Sequence, residues 1–132
     1  MAVPDATRVA GIGVLDGHRM RLLISSAART ARANAVTGAR VSVLITDITT
    51  YRSVQWKGRV LFATEARTPG DLALLHHHVE TFRASSHLVG VPQGKAGRVF
   101  FTDVVPLVVE VDAVYDQTPG PGAGRRMVVG RR

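Results

Sequence analysis

Short β-branched runs separated by turn residues dominate this chain, and one stretch alone is long enough for a substantial helix. Val9–Leu15 is followed by Asp16-Gly17, a strong hairpin signal, and by the return run Arg19–Ile24. Val41–Ile48 (VSVLITDI) reads as a buried strand. Arg52–Thr64 alternates with period two: Val54, Trp56, Val60 and Phe62 share one face, and Ser53, Gln55, Lys57 and Arg59 the other. Arg98–Thr102 and Val104–Tyr115 are the last strands, with Pro106 marking an edge or a bulge. Pro69–Val89 predicts a long helix whose buried stripe is Leu72, Leu75, Val79, Phe82 and Val89, closed by Gly90-Val91-Pro92. Ser25–Gly38 predicts a second helix of about three turns, capped by Ser25 or Ser26. Six strands joined mostly by short turns are antiparallel, and a small closed or partly closed barrel removes their exposed edges. The competing arrangement is an open α+β sheet with both helices on one side.

A length of 132 residues fits one domain, and 45% hydrophobic residues can fill a core. The domain spans 1–118; the tail 119–132 belongs to a Gly/Pro/Arg-rich segment, QTPGPGAGRR and beyond, expected to lack regular structure. No apolar run approaches the ~18 residues of a membrane span, and MAVPDATR is not a signal peptide. There is no cysteine, which excludes disulfides, thiolate metal sites and cysteine nucleophiles and makes the cytoplasm the expected compartment. The net charge of +7 favours anionic partners. The basic residues are scattered apart from Arg125, Arg126, Arg131 and Arg132, which favours discrete anion sites over a nucleic-acid face.

Most of the conspicuous groups carry no chemistry. His76-His77-His78 cannot ligate one metal together, because consecutive helical residues point ~100° apart. His76, Glu80, Arg83 and His87 read as a solvated face, so no metal site is assigned. No hydrolase or dinucleotide motif is present; Gly11-Ile12-Gly13 lies in a strand and serves close packing. Two segments stand out. Ser25–Thr30 (SSAART) places hydroxyls and an arginine at a strand-to-helix junction, which suits a phosphate, although simple capping also explains the serines. The strip Ser53, Gln55, Lys57, Arg59 holds no acid, so it can hydrogen-bond a heterocycle and hold negative charge upon it; an ordinary basic strand face is the simpler account.

In this order, A-R-T-A-R, A-R-V-S-V-L-I and T-T-Y-R-S-V-Q-W-K-G-R-V resemble the FMN-binding split-barrel family of pyridoxamine 5′-phosphate oxidase over roughly residues 8–60. The resemblance implies a mainly β fold with helices, a six-stranded antiparallel split β-barrel. It implies a homodimer with FMN in two interface clefts and a redox reaction on an unidentified small molecule. Arg29 and Thr30 match the helix-start residues that hold the FMN phosphate, Ser25 the polar end of the preceding strand, and Arg8 a further phosphate-binding arginine. Gln55 and Lys57 match the edge of the isoalloxazine, from the neighbouring subunit, and Ser53 falls where the oxidases have Gln. Thr30 replaces the oxidase lysine, and the family's C-terminal substrate segment has no counterpart. No catalytic acid or base is identified; His18 and His87 are the weak candidates. The alternative is a non-catalytic flavin, deazaflavin or haem module of the same fold. A nucleic-acid-binding barrel ranks last, because most of the seven aromatics occupy core-parity positions.

Overall fold

A computed structural model describes residues 4–63, 68–90 and 103–127. The elements run β1 (Val9–Val14), β2 (Arg19–Ser25), α1 (Arg29–Asn34), β3 (Arg40–Thr46), β4 (Ser53–Ala63), α2 (Pro69–Leu88), β5 (Val104–Asp116) and β6 (Arg125–Met127). The strands form one antiparallel sheet in the order β1-β2-β5-β4-β3, with β6 on β5 beyond the end of β2. The sheet curls into a half-barrel, a split β-barrel with two helices.

Alternation fills both faces. Leu22 and Ile24 of β2, Val105, Leu107 and Val109 of β5, and Val43 of β3 form the concave core, with Trp56 and Ile12 against it. Leu23, Val104 and Ala10 form a second core on the convex face under Leu74, Leu75 and Val79 of α2. A strand flanked on both faces cannot alternate, and Val104–Val109 is buried throughout. Pro106 accordingly sits inside the sheet opposite Leu23 and is fully buried, one residue beyond Leu107, the last β4 partner among the described residues. It is therefore not on an edge strand; the described ladder to β4 reaches its neighbour Leu107. Gly11 and Gly13 allow α2 its close approach: a Cβ on Gly11 would lie 3.0 Å from Leu23 and 3.3 Å from Leu74.

Several expectations are corrected. The first helix is six residues long, and Ala28, without a side-chain cap, precedes it. Ser25 ends β2 and accepts the Ala27 N–H at 3.2 Å, while the Ser26 hydroxyl donates to Asp103 at 2.8 Å, so neither serine caps. The buried stripe of α2 holds at Leu75 and Val79 but not at its ends, where Leu72 and Val89 are 43% and 49% exposed and Asp71 and Ser86 are buried. At the first turn the cause is Asp71. Arg21 of β2 grips its carboxylate with both Nε and Nη2, and Asp71 completes a capping box with Thr68. The first turn is drawn toward the arginine. The tail also contributes a strand: Arg125–Met127 pairs with Val114–Asp116 after a loop whose Gly120 and Gly124 have positive φ. The expected strand Arg98–Thr102 lies outside the described residues. No helix among the described residues is long and apolar enough to cross a membrane.

Candidate functional site

The junction of β2 and α1 stands at one mouth of the half-barrel. Arg29 and Arg32 flank a cleft of about 380 Å³ whose floor is Ala33, Ala35, Ala63, Val105 and Leu107. Arg29 is exposed at the first turn of α1, and so is Thr30. Arg32 donates to the Ser26 carbonyl at 2.9 Å, which ties the helix to the end of β2. Arg32 was not singled out from the sequence; its i+3 spacing from Arg29 places both on one helix side. Ser25 is buried in the convex-face row with Val104, and Arg8 is exposed just before β1. A multiply charged anion fits this mouth, because the two guanidiniums supply charge-assisted donors over an apolar floor.

The strip on β4 lies elsewhere. Ser53 is buried, its hydroxyl 2.9 Å from that of Thr46, and its N–H donates to Thr118. Gln55 accepts from the Gln117 amide at 3.0 Å and donates to Ser42 at 2.7 Å, so the amide belongs to a chain crossing β5's end, β4 and β3. The Lys57 ammonium sits 5.1 Å above the Tyr115 ring, a cation–π contact that keeps the charge at the surface. The acids that β4 lacks come from β5: Glu110 pairs with Arg59 at 2.9 Å, and Asp112 with Arg40 at 3.0 Å. The strip is thus less cationic than its own strand implies. Among the described residues, Lys57 is the cation of this strip with an aromatic partner.

One chain does not bring the two patches together. Arg29's cleft adjoins Val105, and Gln55 pairs with Tyr115, ten residues further along β5. That separation is about 33 Å along the strand, longer than one flavin nucleotide. The patches also differ in face. The cleft opens on the concave side with Val105 and Leu107, whereas Gln55 and Lys57 share the convex side with Tyr115.

The expected core face of β4 is interrupted as well. Irregularities between Lys57 and Gly58 and between Val60 and Phe62 shift the register. Val60 stays fully buried opposite Val109, but Phe62 pairs with Val108 of the convex face and is 49% exposed. The four exposed residues His76, Glu80, Arg83 and His87 form the solvated side of α2, as expected, with Arg83 3.8 Å from Glu80. His78 is half-buried, and burial together with neighbouring His77 lowers its pKa. Comparison with known protein families, curated proteins and solved structures finds no match for this chain.

Proposed function

We propose that the protein is an FMN-binding homodimer supporting oxidoreduction of a small molecule, with each flavin shared between two chains. The observation that carries this reading is the placement of an arginine-flanked cleft and a polar strip at opposite ends of β5. A two-fold axis perpendicular to β5 would pair the strands antiparallel, and in such a dimer the cleft of each protomer could face the strip of its partner, twice. The residues suit the group. Arg29 and Arg32 take the phosphate dianion, Thr30 adds a hydroxyl donor, and Ser25 and Arg8 lie at the adjoining strand ends. Lys57 would supply positive charge beside the flavin ring. The Gln55 amide, held by Gln117 and Ser42, presents a fixed dipole there. Bound flavin supplies two-electron chemistry, and the chain's part is to hold and tune it.

The test is an FMN titration followed by absorbance near ~450 nm and by heat stability, since a bound ligand raises stability by mass action. Arg29→Ala is expected to weaken FMN at least about tenfold, the loss of one charge-assisted contact. Mixing the Arg29→Ala and Lys57→Ala chains is expected to regenerate one intact site per mixed dimer. Failure of the mixture to recover any tight binding sinks the shared site; failure of the native protein to bind FMN sinks the flavin itself. A non-catalytic module of the same fold binds FMN but is not reduced through it by NADH or NADPH.

A further inference from the structure

The pairing of β3, β4, β5 and β6 lays a row of residues across the convex face: Leu44 opposite Gln55, Gln55 opposite Tyr115, and Tyr115 opposite Arg126. Residues directly opposite in an antiparallel ladder point to the same side. The row spans about 14 Å, since neighbouring strands lie ~4.8 Å apart. Its chemistry is graded. It begins at Leu44, 62% exposed, passes the Gln55 amide and the half-buried Tyr115 ring, and ends at the exposed Arg126. Lys57, diagonal to Tyr115, holds its ammonium 5.1 Å above that ring. The acids of the neighbouring positions are engaged: Glu110 by Arg59, Asp112 by Arg40, and Asp116 by the Thr118 N–H at 2.9 Å with Arg125 at 3.8 Å. The chain continues past Met127 as V-V-G-R-R, which adds two cations and no acid to this end. The face is thus apolar at one end, aromatic in the middle and cationic at the other.

We infer that this row seats the flavin ring, with Tyr115 as its stacking surface, the benzenoid edge toward Leu44 and the pyrimidine edge toward Lys57 and Arg126. The inference rests on the flavin reading and adds to it Tyr115, Arg126 and an orientation. An isoalloxazine carries the same gradient: methyl groups on one outer ring, and on the other the carbonyls and the nitrogen that take negative charge on reduction. The reverse placement sets carbonyls against a leucine and methyl groups against two cations, which strips water from polar groups and returns no partner. Lys57 does not block the seat. An exposed cation–π contact is weaker than a charge-assisted hydrogen bond, so a negative ring edge draws the ammonium aside and opens the phenol face for offset stacking. The Gly/Pro/Arg-rich tail thereby gains a role. Its loop, with Gly120 and Gly124 at positive φ, returns the chain so that β6 sets Arg126 beside Tyr115.

A tyrosine stacked on a flavin quenches its emission, because the phenol passes an electron to the excited ring and takes it back with no net change. Phenylalanine stacks as well but does not give up that electron. The full-length protein is loaded with FMN, and the emission of the bound cofactor is compared in native, Tyr115→Phe and Arg126→Ala chains. Native-bound FMN is expected to be strongly quenched. Tyr115→Phe keeps an aromatic face and the packing of a half-buried ring, so it is expected to bind FMN within about twofold of native, yet to emit severalfold more brightly. Arg126→Ala is expected to leave emission unchanged and to lower the reduction potential of bound FMN, read against a redox dye, because a cation beside the pyrimidine edge favours the anionic reduced ring. Tyr51→Phe, 67% exposed in the β3–β4 turn outside the row, is the control and should change neither. Equal brightness in native and Tyr115→Phe would overturn the stacking surface and leave the flavin site standing. A potential unmoved by Arg126→Ala would overturn the orientation. Failure of the native chain to bind FMN at all would overturn the flavin reading and this inference with it.

Discussion

Replacing Asp71 with alanine is expected to cost about 3–5 kcal/mol of folding stability, the usual penalty for leaving one member of a buried ion pair alone. Asp71 is 1% exposed and holds Arg21 through both guanidinium donors, so the variant strands a guanidinium against α2. It also removes the Thr68–Asp71 capping box, worth about 1 kcal/mol more. Urea unfolding measures the loss. The double variant Arg21→Met with Asp71→Leu is expected to be more stable than Asp71→Ala, because an apolar pair has no charge to strand. A double variant less stable than Asp71→Ala would show that the pair's geometry, rather than charge burial, sets the cost. The pair also predicts an acid dependence. The Arg21 guanidinium, opposed by burial and helped by Thr68, lowers the Asp71 pKa below the ordinary aspartate value of 3.8. A carboxylate depressed on folding stabilises fully above its unfolded pKa, and that contribution disappears as pH falls through the folded value. Native protein should therefore lose stability on acidification below about pH 4 more steeply than the Arg21→Met, Asp71→Leu double variant.

Gly58→Ala is expected to be nearly as damaging, by about 3 kcal/mol or more, since backbone overlap cannot be relieved by a rotamer change. A Cβ on Gly58 would overlap the Glu110 carbonyl oxygen and lie 2.9 Å from its carbon. Gly58 stands at the irregularity where β4 and β5 step out of register, Lys57 opposite Ala113 and Gly58 opposite Val111. The strands approach closely there, and only hydrogen fits. A thermal midpoint within 2–3 °C of native would refute this, since about 3 kcal/mol moves a domain of this size by roughly 10 °C or more. The same substitution at Gly38, where nothing lies within 4 Å but φ is +86°, tests conformational strain without overlap and should cost about 1 kcal/mol.

Local chemistry made much of the fold readable. Asp16-Gly17 between two apolar runs specifies the first hairpin, whose turn Asp16 closes. Thr68-Pro69 and Gly90 bracket α2 at both ends. The alternation of β3 and the first part of β4 puts Val43 opposite Trp56 on the concave core and Ser42 opposite Lys57 outside. The candidate site was legible only in pieces. Arg29, Thr30, Gln55 and Lys57 are exposed or half-exposed as a binding role requires, but the sequence carries no measure of the distance between them. Nor does it show that Glu110 and Asp112 of β5 answer Arg59 of β4 and Arg40 of β3, because these partners are more than fifty residues apart in the chain.

Patterns repeating within a few residues therefore settled β1 to β5, the long helix and the turn of the first hairpin, though not β6 in the Gly/Pro/Arg-rich tail, because backbone preference and side-chain alternation act at short range. Long-range contact decided the rest. Arg21 drew the first turn of α2 inward by capturing Asp71. Strand crossing at Gly58 and beyond Val60 moved Phe62 to the other face. The curl of the sheet placed an arginine-flanked cleft at one mouth of the trough, and the pairing of β3 to β6 set Leu44, Gln55, Tyr115 and Arg126 in one row on its outer face. Such outcomes depend on which residues meet after the chain has closed on itself, and no local period encodes that meeting.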